Sequence, residues 1–544
     1  MSKGSDLISR GEKLFGNRGT LMQLWQDIAE QFYVERADFT ATRTIGNTFA
    51  EHLQTSYPMM IRRELADQFS AMLRPTNLQW FHTSVVDEDS LSTESRIWLE
   101  RATKIQRNMM YDRRSQFNRA TKEADNDFAA FGQAVISREI NWAAKQPHLM
   151  YRSWHLRDVA WAENKSTTIG EVHRRWKPEI RELLSDYRGN VHGSVARAER
   201  DKGQEIPCRH IVMDSERYDS KFSKTHPWVC LVVDCDNDHI MAEYGRHNMG
   251  YNIPRWQTVS GSQYAYSPAT VAGLPDARLL QAITLTLLEA GEMAVRPPLI
   301  AVQDAIKEGT NYYSGGVTIA DADYDERLGD VLRPITQDKS GLPFGIEMAQ
   351  DQREMLASAF YLNKLTLPEG NKEMTATETM ERIEEYVRGA LPLFEPMEIE
   401  YNGGLCEDTY QDLMQAGVFG SFKNVPEELR HRDVHFKFES PLHDALERKK
   451  GIHLQEGIEL TGAALQIDPT CLPTINARVA LRDALHGIQM PARWMNSERA
   501  VEEAAMQQIE MESERQAAAG VVNQSEAAVA AAEGAQAVQQ LADA

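Results

Sequence analysis

The residues that come nearest to a chemical pattern in this chain are three aspartates in DCDNDH, residues 234–239. Asp234, Asp236 and Asp238 stand at alternate positions, as the first ligands of a calcium loop do, and carboxylates so spaced could hold a hard cation. The rest of that pattern is missing. The sixth position, where a sharp turn needs glycine, is His239, and the twelfth, which should supply a bidentate glutamate, is Gly245. With β-branched runs on both sides, the stretch reads as a hairpin turn. His431 and His435 have the HxxxH spacing that a helix would turn into a metal-binding face, but VHFKF around His435 reads as a strand.

Other chemistries lack their residues. There is no HExxH, no Cys/His quartet, no GxxxxGK[ST] phosphate loop and no GxSxG nucleophile elbow. Five cysteines, at 208, 230, 235, 406 and 471, are an odd number without a CxxC pair, which opposes a disulfide framework and a thiolate metal site and suits a reducing compartment. No catalytic residue, metal or cofactor is therefore expected. The formal charge of −21 argues against a protein that grips nucleic acid over its whole surface, because phosphate binding relies on Lys and Arg replacing counterions.

The elements that would position any site are mostly helical. Leu14, Leu21, Leu24, Trp25, Ile28 and Phe32 recur at helical steps, as a helix pair broken near Gly16–Gly19 would. Further helices are predicted to end at Leu73, before Pro75, to run from about Leu91 to Tyr111, and to run from Phe117 to Phe131 with Gly132 as the stop. From Gln133 to about Val259, runs such as AVISREI, WVCLVVD and HIMAEYG alternate with turn clusters, so a β-rich insert of hairpins is expected, with a short helix near 178–187. Helical pattern returns at Pro275–Val295 and, after a small β-containing excursion, to about Leu362. The polar N-terminal residues exclude a signal peptide, and the apolar window Leu279–Val295 carries Glu289 and Glu292 and is shorter than the roughly 20 residues of a span, so no membrane partner is expected.

A further stretch, LNKLTLPEGNKEMTATETMERIEEY, joins a polar segment with Pro368 and Gly370 to the capping box Thr375/Glu378. A loop of that length between helices is usually functional or disordered. The last residues, from about Ser513, are rich in Ala, Gln and Glu and read as a tail.

The order of these segments resembles the portal, or head-to-tail connector, proteins of short-tailed bacteriophages. The resemblance rests on LADQFSAMLRPTNLQWFH (65–82), PRWQTVSGSQYAYSP (254–268), LPDARLLQAITLTLLEAGEMAVRPPLIA (274–301) and MTATETMER (374–382), which follow one another in the family's order. One departure is YAYSP, where the family tends to have Gly and Arg before Ser-Pro; here Ala265 and Tyr266 stand instead.

The resemblance implies an α+β, mainly helical portal-type subunit without enzymatic activity. Residues 1–265 would be the wing, with its N-terminal helices and β-rich insert, 266–295 the first stem helix, 296–342 the clip and 343–362 the second stem helix. Residues 363–374 would be the channel loop, 375–440 a long helix and return to the wing, 441–512 the crown helices and 513–544 the tail. In the family, twelve subunits form a ring at one capsid vertex, through which a terminase motor drives double-stranded DNA during packaging and from which it is ejected. The implied partners are that motor, a tail adaptor, and the major capsid and scaffolding proteins. The implied location is the virion, and the host cytoplasm during assembly.

By position, the DNA-facing loop would comprise Asn363, Lys364, Leu365, Thr366, Leu367, Pro368, Glu369, Gly370, Asn371, Lys372 and Glu373, with Lys364 and Lys372 nearest the phosphates. Ala282, Thr286, Ala290 and Gly291 would be small residues where neighbouring stem helices pack; the residues alone equally allow a core helix within one subunit. The alternative is a metal-dependent DNA-processing enzyme of a phage or mobile element using scattered carboxylates, which would lose Mg²⁺-dependent cleavage on Asp234→Ala.

Overall fold

The computed structural model describes residues 3–44, 46, 50–86, 91–142, 147–187, 189–197, 203–297, 299–301, 332–334, 341–365, 389, 397–420, 424–430, 432–438, 454–462, 476–487, 490, 494–496, 500–511 and 513. Helix ends follow the punctuation of the sequence. Helices α1 (Lys3–Gly16) and α2 (Gly19–Phe32) divide at the paired glycines. Helix α3 (Tyr57–Leu73) carries Pro58 in its first turn, where a missing N–H costs nothing, and stops before Pro75. Strand β1 (Phe81–Val85) and helix α4 (Thr93–Met110) precede α5 (Phe117–Phe131).

The chain divides into two compact units, the first made of residues 1–80, 106–418 and 438–445, the second of 81–105, 419–437 and 446–544. In the first unit the predicted hairpins are present. Strands β2 (Ile136–Asn141), β3 (His148–Ser153), β4 (Val159–Glu163), β5 (Ile169–Trp176), β6 (Cys208–Asp214), β7 (Trp228–Asp234), β8 (His239–Arg246) and β9 (Tyr251–Asn252) form two antiparallel sheets, ordered β4-β5-β6-β7-β8 and β3-β2-β9. Helices α6 (Ile180–Asp186) and α7 (Gly193–Arg197) are inserted between β5 and β6. The period-2 pattern sorts side chains to opposite faces of the larger sheet. Cys208, Val232 and Met241 pack under Ile180, Leu183 and Val195, while Ile211, Met213, Val229, Leu231 and Val233 pack with Leu7 of α1.

Two short strands, β10 (Gln257–Thr258) and β11 (Ala265–Tyr266), lead into helix α8 (Pro268–Val295). Its start is fixed by the end of α5. Ser267 Oγ donates to Ala129 O at 2.8 Å and Thr270 Oγ1 to Ala130 O at 2.6 Å, so two carbonyls left open in the last turn of α5 are satisfied by the first turn of α8. Gly132 makes this approach possible: its φ is +73°, and a Cβ there would overlap the backbone of Tyr266 and Ser267. Gly132→Ala should therefore cost about 2 kcal/mol or more, about 1–2 of it from the left-handed backbone alone. A urea midpoint unchanged from wild type would show that this junction does not hold α8.

The predicted start of α8 at Pro275 is corrected to Pro268. Ser267 caps the helix and Pro275 lies inside it, where the residues around it are held by packing of Gly273, Leu274 and Ala277 in the unit's interior. In the second unit, β1 pairs with β14 (Val434–Phe438), which follows β12 (Leu299–Ala301) and β13 (Leu332–Pro334) in the chain. Val85, Leu91, Leu99, Val425 and Leu429 form its core, and Glu428 accepts hydrogen bonds from Ser92 and Ser95. Residues 454–462, 477–487 and 500–511 are helical.

Candidate functional site

Helix α8 has 28 residues and so extends about 42 Å. Helix α9 (Gly341–Ala359) returns alongside it. Gly273 of α8 faces Phe360 and Leu356, at 3.2 and 3.3 Å from the place of a Cβ, and Gly345 of α9 faces Leu287 at 2.8 Å. An early residue of α8 thus meets the end of α9 and a late one its start, which makes an antiparallel hairpin, the stem. At the root, Phe32 and Phe360 pack at 5.3 Å, and Gln281 Oε1 accepts from the backbone N–H of Gln54 and Thr55 at 2.7 and 3.0 Å. Arg278 pairs with Asp27 at 2.9 Å. At the far end β12 and β13 pair antiparallel, Leu299 opposite Pro334.

Beyond its root the stem exposes apolar surface. Leu279, Leu285, Leu288 and Met293 of α8 are exposed, Leu288 at 55%, as are Phe344, Ile346 and Met355 of α9, Phe344 at 65%. Large apolar side chains exposed along both helices mark an interaction surface. By length and composition α8 also suffices to cross a membrane, so the predicted shortness of its apolar window is corrected; Ala269, Thr270, Gly273, Leu274 and Ala277 in its first third, however, are buried in its own unit, and Glu289 and Glu292 stand exposed on the remainder. Asp276, Glu289, Glu292, Glu347, Asp351 and Glu354 give the stem an acidic balance against Arg278, Arg296, Arg353 and Lys364.

Of the small residues singled out in the sequence, Ala282 and Thr286 are exposed and Ala290 and Gly291 half-buried. A Cβ on Gly291 would meet nothing within 4 Å. Thr286 Oγ1 donates to Ala282 O at 3.0 Å and Thr284 Oγ1 to Leu280 O at 2.7 Å, so both hydroxyls are satisfied within the helix. In the loop stretch, Asn363, Lys364 and Leu365 are corrected from loop to helix: they lie in the short helix α10 (Leu362–Leu365), offset from α9 by Tyr361 at φ +59°. Nothing before Pro368 forbids another helical turn there. Thr366 to Glu373 and the capping box Thr375/Glu378 lie outside the described residues, as does most of the clip.

The other candidate positions are accounted for. Asp234 is buried in the β7–β8 hairpin, where Oδ1 accepts from the N–H of Asp236 at 3.0 Å and Oδ2 from Asn237 Nδ2 at 2.7 Å. Its carboxylate holds the turn. His435 is on strand β14, so the helical geometry that HxxxH needs is missing; His431 lies outside the described residues. Among the described residues no group of three or more His, Cys, Asp or Glu could hold a metal. Burial pushes the thiols of Cys208 and Cys230 up to about 12, which leaves them unreactive at neutral pH. What sequence reasoning missed is the exposed apolar set on the stem: α8 is apolar on several sides, and its spacing does not say which side a second element covers.

The sequence matches the family described as bacteriophage head to tail connecting protein over residues 5–495. The chain belongs to that family. The connector is 25% identical over 483 residues to a probable portal protein of Bordetella phage BPP-1, covering 87% of the connector and 85% of the relative. Among solved structures, it is similar to a chain of the neck of an empty GTA particle computed with C6 symmetry, with a TM-score of 0.33 at 10% identity over 73% of the connector and 84% of that chain. A chain of the virion of a native gene transfer agent gives 0.28 at 8% identity, over 68% and 88%. Likeness at those scores does not establish a shared fold. The expected portal, or head-to-tail connector, class is thus met, on an α+β chain, and no match supports the alternative enzyme.

Proposed function

We propose that the connector closes into a ring at one capsid vertex of the virion, twelve-fold as the family resemblance implies, whose stems wall a channel for double-stranded DNA. The exposed apolar face of the stem is the observation that carries this reading: within the subunit nothing covers Leu285, Leu288, Phe344 or Ile346 among the described residues. A head-to-tail contact whose rotation closes gives a ring. In it Ala282, Thr286, Ala290 and Gly291 let neighbouring stems approach, and the apolar side chains supply the buried area. A conduit must not hold its cargo, since each neutralised phosphate adds affinity, and the acidic balance of the stem serves that need.

The segment Asn363–Glu373 projects toward the DNA, with Lys364 and Lys372 making phosphate contacts without sequence preference. The clip, residues 296–342, engages the terminase motor and then the tail adaptor; residues 1–265 face capsid and scaffolding proteins during assembly in the host cytoplasm; the crown, 441–512, lies inside the capsid.

Negative-stain imaging with mass by light scattering tests the ring. Particles with a central channel, near about twelve times 61.6 kDa, are expected. A subunit that stays monomeric at every concentration, with scaffolding protein present, overturns the reading. Deleting Thr366–Asn371 should then leave the rings intact and reduce packaged DNA; loss of the rings would make the segment structural.

A further inference from the structure

Six arginines of the described chain are at least nine-tenths buried: Arg18, Arg62, Arg74, Arg138, Arg174 and Arg209. Five of them place terminal guanidinium nitrogens on protein oxygens. Arg18 donates to the carbonyls of Leu156 and Val159, Arg62 to Asn126, Arg74 to Asp125 and Asn402, Arg138 to Asp408, and Arg209 to Ile8 O and Glu12. Arg174, on β5, differs. Its Nε donates to Tyr251 Oη at 2.9 Å, while its two terminal nitrogens have no hydrogen-bond partner and no carboxylate within 4.0 Å among the described residues. These nitrogens are not sealed inside the protein but open to the cleft that Arg174 lines, so a cation is presented there with no carboxylate of the described residues upon it.

The surroundings hold this guanidinium in place. Trp154 lies on it at 3.9 Å and Trp176 at 4.7 Å, measured from Cζ to the ring centroids. Tyr251 Oη also bonds His210 Nδ1 at 2.8 Å, and His210 Nε2 meets Tyr244 Oη at 3.2 Å. Burial, with Arg174 and Arg246 nearby, pushes His210 down to about 3, so it stays neutral and adds no second positive charge beside Arg174. Above Arg174 opens a cleft of about 640 Å³, between α6 and strands of both sheets of the first unit. That is within the range of about 300–1,000 Å³ of ligand-binding clefts.

We infer that this cleft binds a segment of a partner protein through an aspartate or glutamate whose carboxylate is held by the two free nitrogens of Arg174. A guanidinium fork and a carboxylate match bidentately, and the flanking indoles keep the fork from turning away. The rim decides between classes of anion. Besides Arg152 and Arg181 it presents Glu139, Glu182 and Asp186, which would repel a run of phosphates but would pair with a lysine or arginine beside the bound acid. A peptide of mixed charge fits and a nucleic acid does not. The inference does not depend on the ring, since every residue named is in one unit of one subunit.

The test selects random twelve-residue peptides on the full-length protein and measures the survivors by fluorescence anisotropy. Enriched peptides should share Asp or Glu next to Lys or Arg. Arg174→Lys, which keeps the charge and loses the fork, should weaken them about tenfold or more. Changing the peptide's own acid to its amide should do the same with no change to the protein, which keeps the test valid if Arg174 variants fold poorly. Peptides that ignore both changes, no enrichment at all, or displacement of the peptides by a short DNA duplex would each overturn the inference.

Discussion

Leu285→Glu with Leu288→Glu should give a folded subunit that elutes as a monomer. Both side chains are exposed within one chain, Leu285 at 42% and Leu288 at 55%, and neither belongs to the subunit's buried core, so the change should alter stability little, as surface changes usually do, by within about 0.5 kcal/mol. In a ring the same positions would bury two carboxylates per subunit against an apolar neighbour, at a cost of several kcal/mol per interface. Light scattering measures the mass, and a thermal melt matching wild type shows that the subunit is intact. Rings of unchanged mass would place this face on the channel or in solvent and remove the observation on which the ring reading rests. Gly345→Val is the complementary control. It acts inside the hairpin, where Leu287 is 2.8 Å from the new Cβ, and so should lower the melt as well as disturb assembly.

How much of this was legible beforehand depended on the range of the signal. The end of α5 at Gly132 and the break between α1 and α2 are written in adjacent residues, and the antiparallel hairpins alternate over short runs between turn signals. The start of α8 was misplaced because Pro275 resembles a helix opener, whereas Ser267 and Thr270 begin the helix by bonding to α5, which no local pattern announces. The π-helical segment Glu398–Gly403 is likewise invisible in the sequence: Tyr401 and Asn402 are buried through contacts with α5 and α3 distant in sequence. Arg174 shows the limit most clearly. Its indole neighbours are 20 residues before it, just past the end of β3, and two after, on β5, and its lack of a carboxylate becomes visible only when the other buried arginines are seen to have an oxygen each.

The largest single loss of stability should come from Arg138→Met. Arg138 leaves β2 fully buried, donates from Nε to Asp412 at 2.6 Å and from Nη1 to Asp408 at 3.2 Å, and so fixes the sheet to the helix Gly404–Gln415. The two carboxylates raise the guanidinium's pKa against the opposing effect of burial, so the charge stays on at any working pH. Asn248 Nδ2 donates to the other oxygen of Asp412 at 2.6 Å, and Tyr151 Oη bonds Thr409 Oγ1 at 2.7 Å on the same helix. Removing the arginine leaves Asp412 with Asn248 and the more distant Arg246, at 3.7 Å, and breaking a buried pair from one side costs up to about 3–5 kcal/mol. The measurement belongs in the Leu285→Glu/Leu288→Glu background, where assembly no longer adds to apparent stability. Adding Asp412→Leu should recover part of the loss and no more, because Asn248 then loses its 2.6 Å acceptor and keeps Asp408 O, at 3.4 Å. A single-variant loss under about 1 kcal/mol would mean that water enters and solvates Asp412, so that shape rather than charge holds this helix to the sheet.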